Sequence, residues 1–548
     1  MMRMMPVILG SAFAATATVS AVDASAQTTP PGALTTYVTA ANGASQNQIN
    51  TAAAVQGMCN YLKNVEGYTT AATAAGPPLN TPMGDLFLRC NELVQTAAQL
   101  SGTKTTRSLG LPGSGLFGAL QQVSGIQLAA QGTLTTQVPA GQFANIGNRI
   151  SALRYGAADA GLRGRVSAYD APPDDAGGYT APVVGAYHFS SNDDDGASAE
   201  GVHAGFMRAT YTTFTDDSPA PSASGRSPMT ATAVVPNPWG VFVEGSYNFG
   251  SRDQTAGEDA FNYYAKSVTL GLDYNFGGAV VGATVGYDTY KANFEANGVS
   301  DGGGYASVEG TSGSVFAAWF GQHWYFDGIA SYGGLNNDVV RVVSYAPVVQ
   351  TPPQCQSYAC GADVALRGSP GGKDTAVGAT AGYDLTAGRW NLSPNLSLNY
   401  RRVDIDSYGE TDLDLATTTV GSGLPLRYAS QSIDSFRSGL GFTASTPLSF
   451  GFGVLTPNLK IEWDHEFKNE ARTIEAQYIQ DNSLTTGTQC VSCFLIPTEK
   501  PARDFGTAGV GLSALFPNRI QAYVYYERLV GVSYLTGNSI TLGLRGQF

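Results

Sequence analysis

The sequence has few charged residues and no long apolar run. Only 13% of its residues are Asp, Glu, Lys or Arg, and the mean hydropathy is −0.07. A bundle of membrane helices is excluded, because each helix needs about 20 consecutive, mostly apolar residues. The formal net charge of −13 argues against a nucleic acid as partner, because binding phosphates requires a basic face.

Common catalytic motifs are also missing. The sequence contains no G-x-S-x-G and no H-E-x-x-H, and none of its four His residues lies within residues 27–187. The His residues are not clustered with cysteines, so we expect no metal site and no cofactor. We therefore expect no enzymatic activity. An enzymatic N-terminal region is kept as an alternative that no motif favours.

Residues 1–26 have the composition of a secretory signal peptide. A basic residue, Arg3, precedes a stretch of small and apolar residues that ends in the A-x-A sequence at Ala26. We expect export through the Sec translocon and cleavage between Ala26 and Gln27.

Six cysteines in an exported chain predict disulfides, because oxidising compartments favour them. We expect three local pairs, which are Cys59–Cys90, Cys355–Cys360 and Cys490–Cys493. The last pair forms the sequence C-V-S-C. We interpret it as a loop disulfide rather than a redox motif, because no thioredoxin-like βαβ pattern surrounds it.

The region 27–140 is predicted to be a short helical module. Apolar residues recur every three or four positions in 44–63 and in 83–100, and Cys59 and Cys90 lie on these stripes. A bond between them would close a loop of about 30 residues and add roughly 3–4 kcal/mol of stability. A third helix is expected around 115–131, and no repeat of the solenoid type is present.

Residues 141–158 predict another amphipathic helix, with Arg149 and Arg154 off its apolar stripe. The next segment, 159–236, has the acidic and Pro/Gly/Ser-rich composition of a linker or insertion. "NDDDG" within it lacks the spaced ligands of a calcium loop.

From Trp239 onward apolar and polar residues alternate, which predicts β-strands with two different faces. Twelve such segments begin near residues 239, 262, 279, 304, 323, 374, 389, 427, 453, 502, 519 and 537. Short turns alternate with long loops, which we expect near 251–261, 292–303, 346–373, 409–426, 479–501 and 531–537. This asymmetry is typical of outer-membrane barrels, whereas a soluble sandwich does not need it.

Tryptophans support a membrane barrel. Trp239, Trp319, Trp324 and Trp390 all lie beside the short turns, where an aromatic girdle at the membrane interface belongs. Residues 237–548 are therefore predicted to form an all-β transmembrane barrel of 12 antiparallel strands, preceded by the small α-helical region. An even strand count places both ends of the barrel on the short-turn, periplasmic side.

Several segments together resemble the β-domain of the autotransporters, the type V secreted proteins. They are "WGVFVEGSYNFG", "SVTLGLDYNFGGAVVGATVGYD", "PNLKIEWDHEFKNEARTIEAQYIQD" and the terminal "ITLGLRGQF". The resemblance implies a helix through the pore and an exported passenger before it. It also implies that the barrel assembly machinery reads the last strand, where Leu542, Leu544 and Phe548 fit the signal.

The segment 141–158 resembles the pore helix of that family, although the family usually has few residues between this helix and the first strand. The resemblance makes Arg149 and Arg154 candidates to face acidic side chains of the barrel wall, which would fix the helix. Strand parity gives four possible acidic partners: Asp273, Glu462, Asp464 and Glu527.

We therefore expect a monomeric outer-membrane protein in contact with lipid. Its barrel would anchor, and help to export, the helical module, which would lie at the cell surface or in the periplasm. The alternative is a porin-like channel or a passive barrel without secretion activity.

Deleting Phe548 tests the assembly signal. The loss of one aromatic anchor, about 1.5–3 kcal/mol of burial, is too small to unfold a barrel of this size. We expect outer-membrane levels to fall strongly in immunoblots, while refolding in detergent, followed by heat-modifiable gel mobility, stays near that of the full chain. Normal membrane levels would refute the signal, and equal failure in both assays would make Phe548 purely structural.

Overall fold

The computed structural model describes the helical and barrel regions and the loops between them. The described residues are 32–70, 76–137, 141–157, 238–276, 278–296, 299–348, 355, 358–413, 420–483, 490–516 and 520–547. The predicted cleavage site between Ala26 and Gln27, the predicted linker 159–236 and Phe548 lie outside these residues.

Six α-helices precede the strands in the described part of the chain. They are α1 (Ala33–Tyr37), α2 (Gln46–Asn64), α3 (Pro82–Leu100), α4 (Gly113–Val123), α5 (Ala130–Gln137) and α6 (Gly141–Ala157), with 3₁₀ turns at Ala40–Asn42 and Ile126–Ala129.

Local sequence fixes where the two longest helices begin. Ser45 accepts a hydrogen bond from the backbone of Gln48, whose side chain in turn accepts one from the Ser45 backbone, which is a capping box. Thr81 caps α3, and Pro82 occupies the first helical position, where its missing N–H costs nothing. None of the described helices is both long and apolar enough to cross a bilayer.

Twelve long antiparallel strands form the barrel. They are β1 (Trp239–Arg252), β2 (Phe261–Asn275), β3 (Ala279–Ala296), β4 (Val299–Phe320), β5 (Trp324–Tyr345), β6 (Gly371–Tyr383), β7 (Trp390–Ile405), β8 (Gln431–Ser445), β9 (Gly453–Glu466), β10 (Asp504–Leu515), β11 (Ile520–Val530) and β12 (Leu535–Gln547). β1 pairs with β12 from Gly240↔Gln547 to Arg252↔Leu535, so the sheet closes. The predicted fold class and strand number are confirmed.

The shorter strands lie at the two ends of the barrel. Ala362–Gly368 pairs with the upper part of β5 and with Thr411–Asp412, while Leu385–Ala387 and Leu448–Phe450 form small hairpins with β7 and β9. Two long loops supply a separate four-stranded sheet, ordered Tyr408–Gly409, Leu426–Tyr428, Thr473–Tyr478 and Phe494–Pro497.

The outer face of the barrel carries an apolar band. Its exposed side chains include Val241, Val243, Val268, Leu270, Leu272, Val281, Val285, Val315, Leu396, Leu398, Leu440, Leu459, Ile461, Val510, Leu512, Val524, Leu542 and Leu544. Trp239, Trp319, Trp324 and Trp390 are exposed at the short-turn end of this band. The band and its aromatic edge are the surface that a barrel presents to lipid.

One predicted loop is a strand pair instead. Residues 292–303 contain several turn-forming residues, yet β3 and β4 stay paired as far as Ala296↔Val299. The side chains of Ala292, Phe294 and Ala306 in this hairpin are buried against the helical region. This burial compensates for the weak strand propensity, and the hairpin rises beyond the lipid band.

The helical region lies at the long-loop end and shares one core with the loops. Leu62, Leu86 and Leu120 of the helices lie in the same buried cluster as Tyr428 and Phe494 of the loop sheet. We call residues 32–137 the cap. The cap and the long loops therefore form one packed unit over the mouth of the barrel.

The cysteines follow the prediction in two cases of three. Cys355–Cys360 and Cys490–Cys493 are disulfides, but Cys59 and Cys90 are free and buried. Burial, followed by a hydrogen bond with Cys59, raises the pKa of the Cys90 thiol well above its usual value. The apolar stripes correctly predicted that the two residues would meet, but a free thiol also fills such a core position as a small apolar side chain.

Thiol labelling tests this arrangement. We expect two maleimide-reactive thiols per chain after denaturation without reductant and none in the folded protein, because Cys59 and Cys90 are buried. Peptide mapping by mass spectrometry would check the assignment. A peptide pair linked through Cys59 and Cys90 would restore the bond that the sequence predicted.

Candidate functional site

Helix α6 lies inside the barrel. It packs against β1, β2, β3, β4, β5 and β10, and Ile146 and Ile150 are buried with Phe242 and Phe316 of the wall. Glycines of the wall make room for the helix. A Cβ at Gly378 would overlap the ring of Phe143.

A buried ion triad holds α6 to the wall. The Arg149 Nη2 atom donates to Asp273 Oδ2 at 3.0 Å, and Arg545 Nη2 donates to Asp273 Oδ1 at 2.9 Å. The three side chains are almost completely buried, so one shared carboxylate binds two guanidinium groups that water does not reach. The Arg149 guanidinium also lies 5.0 Å from the centre of the Phe242 ring. The triad connects α6, β2 and the final strand.

The structure does not pair Arg154 with any of the other three predicted acids. The Arg154 guanidinium lies 4.0 Å from the centre of the Tyr325 ring, at the start of β5. Glu462 and Glu527 instead bind Lys460, at 3.1 and 3.3 Å. Asp464 is buried on the same strand as Glu462. The structure has these three acids on the lumen-facing side of their strands. Strand parity could not tell which part of the wall α6 would contact.

Helix α6 also makes several polar contacts that were not predicted from the sequence. Asn145 Nδ2 donates to the hydroxyls of Ser267 and Thr269, at 3.1 and 2.9 Å. Gln142 Nε2 donates to Thr284 Oγ1 at 3.0 Å, and Gln521 Nε2 donates to the Ala152 carbonyl at 2.7 Å. Uncharged partners carry no pattern in the sequence. Another residue that was not predicted, Arg545, does lie on the polar face of the last strand.

Above the lumen, buried ion pairs bind the cap to the loops. Arg89 donates to Glu92 at 2.9 Å and to the carbonyl of Ala359 at 2.7 Å in the β5–β6 loop. Arg107 donates to Glu92 at 2.7 Å, and Glu92 accepts the Gly361 amide at 3.0 Å. Cap side chains thus provide the hydrogen bonds that this loop would otherwise take from water.

The β7–β8 loop is held in the same way. Asp85 of α3 accepts the amides of Gly421 and Gly423, at 3.1 and 3.0 Å. Arg341 of β5 donates to Glu410 at 2.9 Å and also to the carbonyl of Gln122, the penultimate residue of α4, at 3.0 Å. The last turn of α4 is therefore capped by a barrel side chain.

Two acids of the β1–β2 loop bind the helices that lead to the lumen. Glu258 accepts from Thr133 at 2.7 Å, and Asp259 accepts from Gln121 at 3.0 Å. Burial raises the pKa of Glu258 to about 7 and that of Asp259 to about 6. Both loop acids are thus removed from water where the cap meets the barrel.

The two disulfides lie in loops that contact the cap. Cys355–Cys360 spans the segment that presents the Ala359 carbonyl to Arg89. Cys490–Cys493 immediately precedes the strand Phe494–Pro497, where the Leu495 carbonyl accepts from Asn50 of α2 at 2.6 Å. Each bond closes a short loop next to a docking contact.

The polar contacts of the lumen and the cap join segments of the chain to one another. No group of three or more His, Cys, Asp and Glu residues suited to a metal ion occurs among the described residues. The buried charges of the lumen and cap are mostly consumed in ion pairs and hydrogen bonds to backbone. What the site does is fix a helix in a pore and a helical cap on its mouth.

Comparison with known proteins agrees with this geometry. The family model for the autotransporter beta-domain matches residues 241–527, which is more than half of the chain. No curated protein matches the chain. The chain belongs to the autotransporter family, whose barrels lie in the outer membrane and are generally non-enzymatic.

Solved structures with a similar fold include three autotransporter domains. The translocator domain of NalP from Neisseria meningitidis is 17% identical and covers 57% of this chain and 88% of its own, with a TM-score of 0.40. The beta domain of the Bordetella autotransporter BrkA is 15% identical, with coverages of 57% and 99% and a TM-score of 0.37. The transport unit of AIDA-I from Escherichia coli is 13% identical, with coverages of 59% and 93% and a TM-score of 0.35.

Replacing the shared carboxylate tests the ion triad. Asp273→Asn removes the carboxylate to which both buried guanidinium groups are bound, so we expect the free energy of unfolding to fall by about 3–5 kcal/mol. Urea titration of the detergent-folded protein measures this change.

Asp338→Asn is the matched control, because it makes the same chemical change in the solvent-exposed pair with Arg367. Exposed pairs contribute little, so the unfolding midpoint of this variant should stay near that of the parent. Equal midpoints for the two variants would show that the triad does not hold α6.

Proposed function

We propose that this outer-membrane barrel exports its own N-terminal region and then keeps that region docked as a cap at the cell surface. The direction of the chain supports the proposal. The cap lies at the long-loop end, α6 descends through the lumen, and Arg154 near its end contacts Tyr325 at the short-turn end. Export of the N-terminal region through the barrel would end with the chain in this direction, with the cap outside and α6 in the lumen.

Retention of the cap is supported by the core it shares with the loops. Six loop side chains, each almost fully buried, belong to this core: Leu424, Leu426, Tyr428, Tyr478, Phe494 and Ile496. At about 1.5–3 kcal/mol per side chain, exposing them would cost on the order of 9–18 kcal/mol. This is as large as the whole stability of a typical domain. The cap therefore differs from a passenger that is cut and released.

For assembly, we propose the Sec translocon as the route to the periplasm and the barrel assembly machinery as the partner there. Leu542 and Leu544 face outward on the last strand, where a periplasmic factor could contact them before lipid does. We propose that the mature protein is a monomer, because its sheet is already closed.

The porin-like alternative requires an open path through the lumen. The position of α6 along β1–β5 and the cap over the mouth both weigh against it. Single-channel recordings distinguish the two functions, since a porin would conduct continuously and a capped barrel would not.

Surface labelling tests the topology. Lys104→Cys places a thiol on an exposed part of the cap, and Thr386→Cys places one in a short-turn hairpin. In intact cells a membrane-impermeant maleimide should label the first variant and not the second, while permeabilised cells should show both. The unsubstituted chain is the control, since its two free cysteines are buried.

Labelling of Lys104→Cys only after permeabilisation would place the cap in the periplasm and contradict export. Immunoblots of the culture medium add a second measurement. We expect the cap in the membrane fraction, and its accumulation in the medium would contradict retention.

A further inference from the structure

A polar pocket lies at the upper rim of the barrel, where the chain passes from the cap into the lumen. It has a volume of about 370 Å³ and lies between α5, the upper end of β8, and the β1–β2 and β9–β10 loops. Its lining includes Gly132, Arg252, Glu258, Lys468, Arg472 and Lys500. We call it the rim pocket. Its size is in the range of small-molecule sites.

Arg472 is the least satisfied charge in this pocket. Its Nη1 atom donates to Gln431 Oε1 at 3.1 Å, while Nη2 has no hydrogen-bond partner. The Glu258 carboxylate attracts this guanidinium without a hydrogen bond to Nη2. Burial lowers the pKa of Arg472 to about 10, so the group stays charged at neutral pH. A largely desolvated cation with an unused donor is costly, and an anion bound at Nη2 would reduce that cost.

Other donors surround this guanidinium. The Nε atom of Arg252 and the Nε2 atom of Gln431 have no hydrogen-bond partner, and Gln431 is only 8% exposed. Lys468 and Lys500 add two exposed ammonium groups to the lining. Gly132 lets the guanidinium approach α5, because a Cβ there would overlap Arg472 Nη2.

The pocket lining contains four acidic residues, and two of them already have partners. Glu258 Oε2 lies 3.1 Å from Arg252 Nη2 and accepts from Thr133, while Glu258 Oε1 has no hydrogen-bond partner. Asp434 accepts from the Tyr400 hydroxyl at 2.8 Å. Glu470 and Glu499 belong to the long β9–β10 loop, where Glu470 is exposed and Glu499 is half-buried. The unused hydrogen-bonding capacity is therefore mainly that of donors, which favours an oxyanion over a cation.

The pocket reaches the level where the lipid band ends. Phe467, in its lining, is 50% exposed and follows Trp463 on the outward face of β9. Its ring lies 5.3 Å from that of Phe436 on β8. An aromatic pair beside a group of cations is suited to the boundary between acyl chains and phosphorylated headgroups.

We propose that the rim pocket binds a phosphate group through Arg472, with Lys468 and Lys500 at its entrance. A guanidinium fork matches the geometry of phosphate oxygens, and hydrogen bonds between such charged partners are the strong ones. The phosphate belongs either to the headgroup of an outer-leaflet glycolipid or to a free phosphate compound.

Inorganic phosphate is the first probe. Titration calorimetry of the detergent-folded full chain, at constant ionic strength balanced with chloride, should show saturable binding. Arg472→Gln should weaken the affinity at least tenfold. Arg503→Gln is the matched control, because Arg503 is an exposed arginine of the same loop outside the pocket lining, and it should leave the affinity unchanged.

Folding is checked by heat-modifiable gel mobility. If Arg472→Gln does not fold, Lys468→Gln and Lys500→Gln serve instead, since both lysines are exposed, and each should weaken binding several-fold. Equal phosphate affinity in the parent and in all folded pocket variants, or no binding to the parent, overturns the proposal.

Vesicles separate the two sources of phosphate. Binding of the barrel to phosphatidylcholine vesicles that contain lipid A with both phosphates is compared with binding to vesicles that contain dephosphorylated lipid A. The protein is added so that the detergent is diluted below its critical micelle concentration. A preference for the phosphorylated lipid that Arg472→Gln abolishes supports the glycolipid. Phosphate binding without such a preference supports a free phosphate compound.

Discussion

Closure of the sheet is the constraint on which the rest of the structure depends. In a bilayer no water satisfies an unpaired strand edge, so the first and last strands must bond to each other. The register from Gly240↔Gln547 to Arg252↔Leu535 achieves this. Once closed, a ring of twelve strands encloses a lumen, and its interior polar side chains need partners. Helix α6 supplies them on one wall, and the triad of Arg149, Asp273 and Arg545 joins that helix to both sides of the closing seam.

The same need for partners explains how the cap packs at the mouth of the barrel. Long loops carry backbone groups and apolar side chains that cannot all be satisfied in isolation. The Asp85 and Glu92 carboxylates of the cap accept hydrogen bonds from loop amides. The apolar side chains of the loops are buried in a core that they share with the cap helices. Neither part buries its apolar face alone. This mutual dependence is the physical reason for the proposal that the cap stays docked on the barrel.

The fold could be predicted in detail because the sequence patterns that specify each strand and turn are local. Alternation with period two, short turns against long loops, and tryptophans beside the turns are each visible in the sequence, and strand starts were found within a few residues at most positions. The β3–β4 hairpin was the exception, because only contact with the cap keeps residues near Phe294 paired. The lumen was predicted less completely. Strand parity predicted that Asp273, Glu462 and Glu527 face the lumen. Arg149 forms an ion pair only with Asp273, because Glu462 and Glu527 pair with Lys460 on another part of the wall.

The sequence by itself determined a twelve-stranded membrane barrel and the helical nature of what precedes it, because these depend on periodicity and composition. Tertiary structure alone decided that the cap docks on the loops, that Cys59 and Cys90 meet without bonding, and that Arg472 keeps an unused donor in the rim pocket. Such features depend on which surfaces meet across hundreds of residues. No local pattern encodes that choice, because the free energy of docking is a sum over contacts between distant segments.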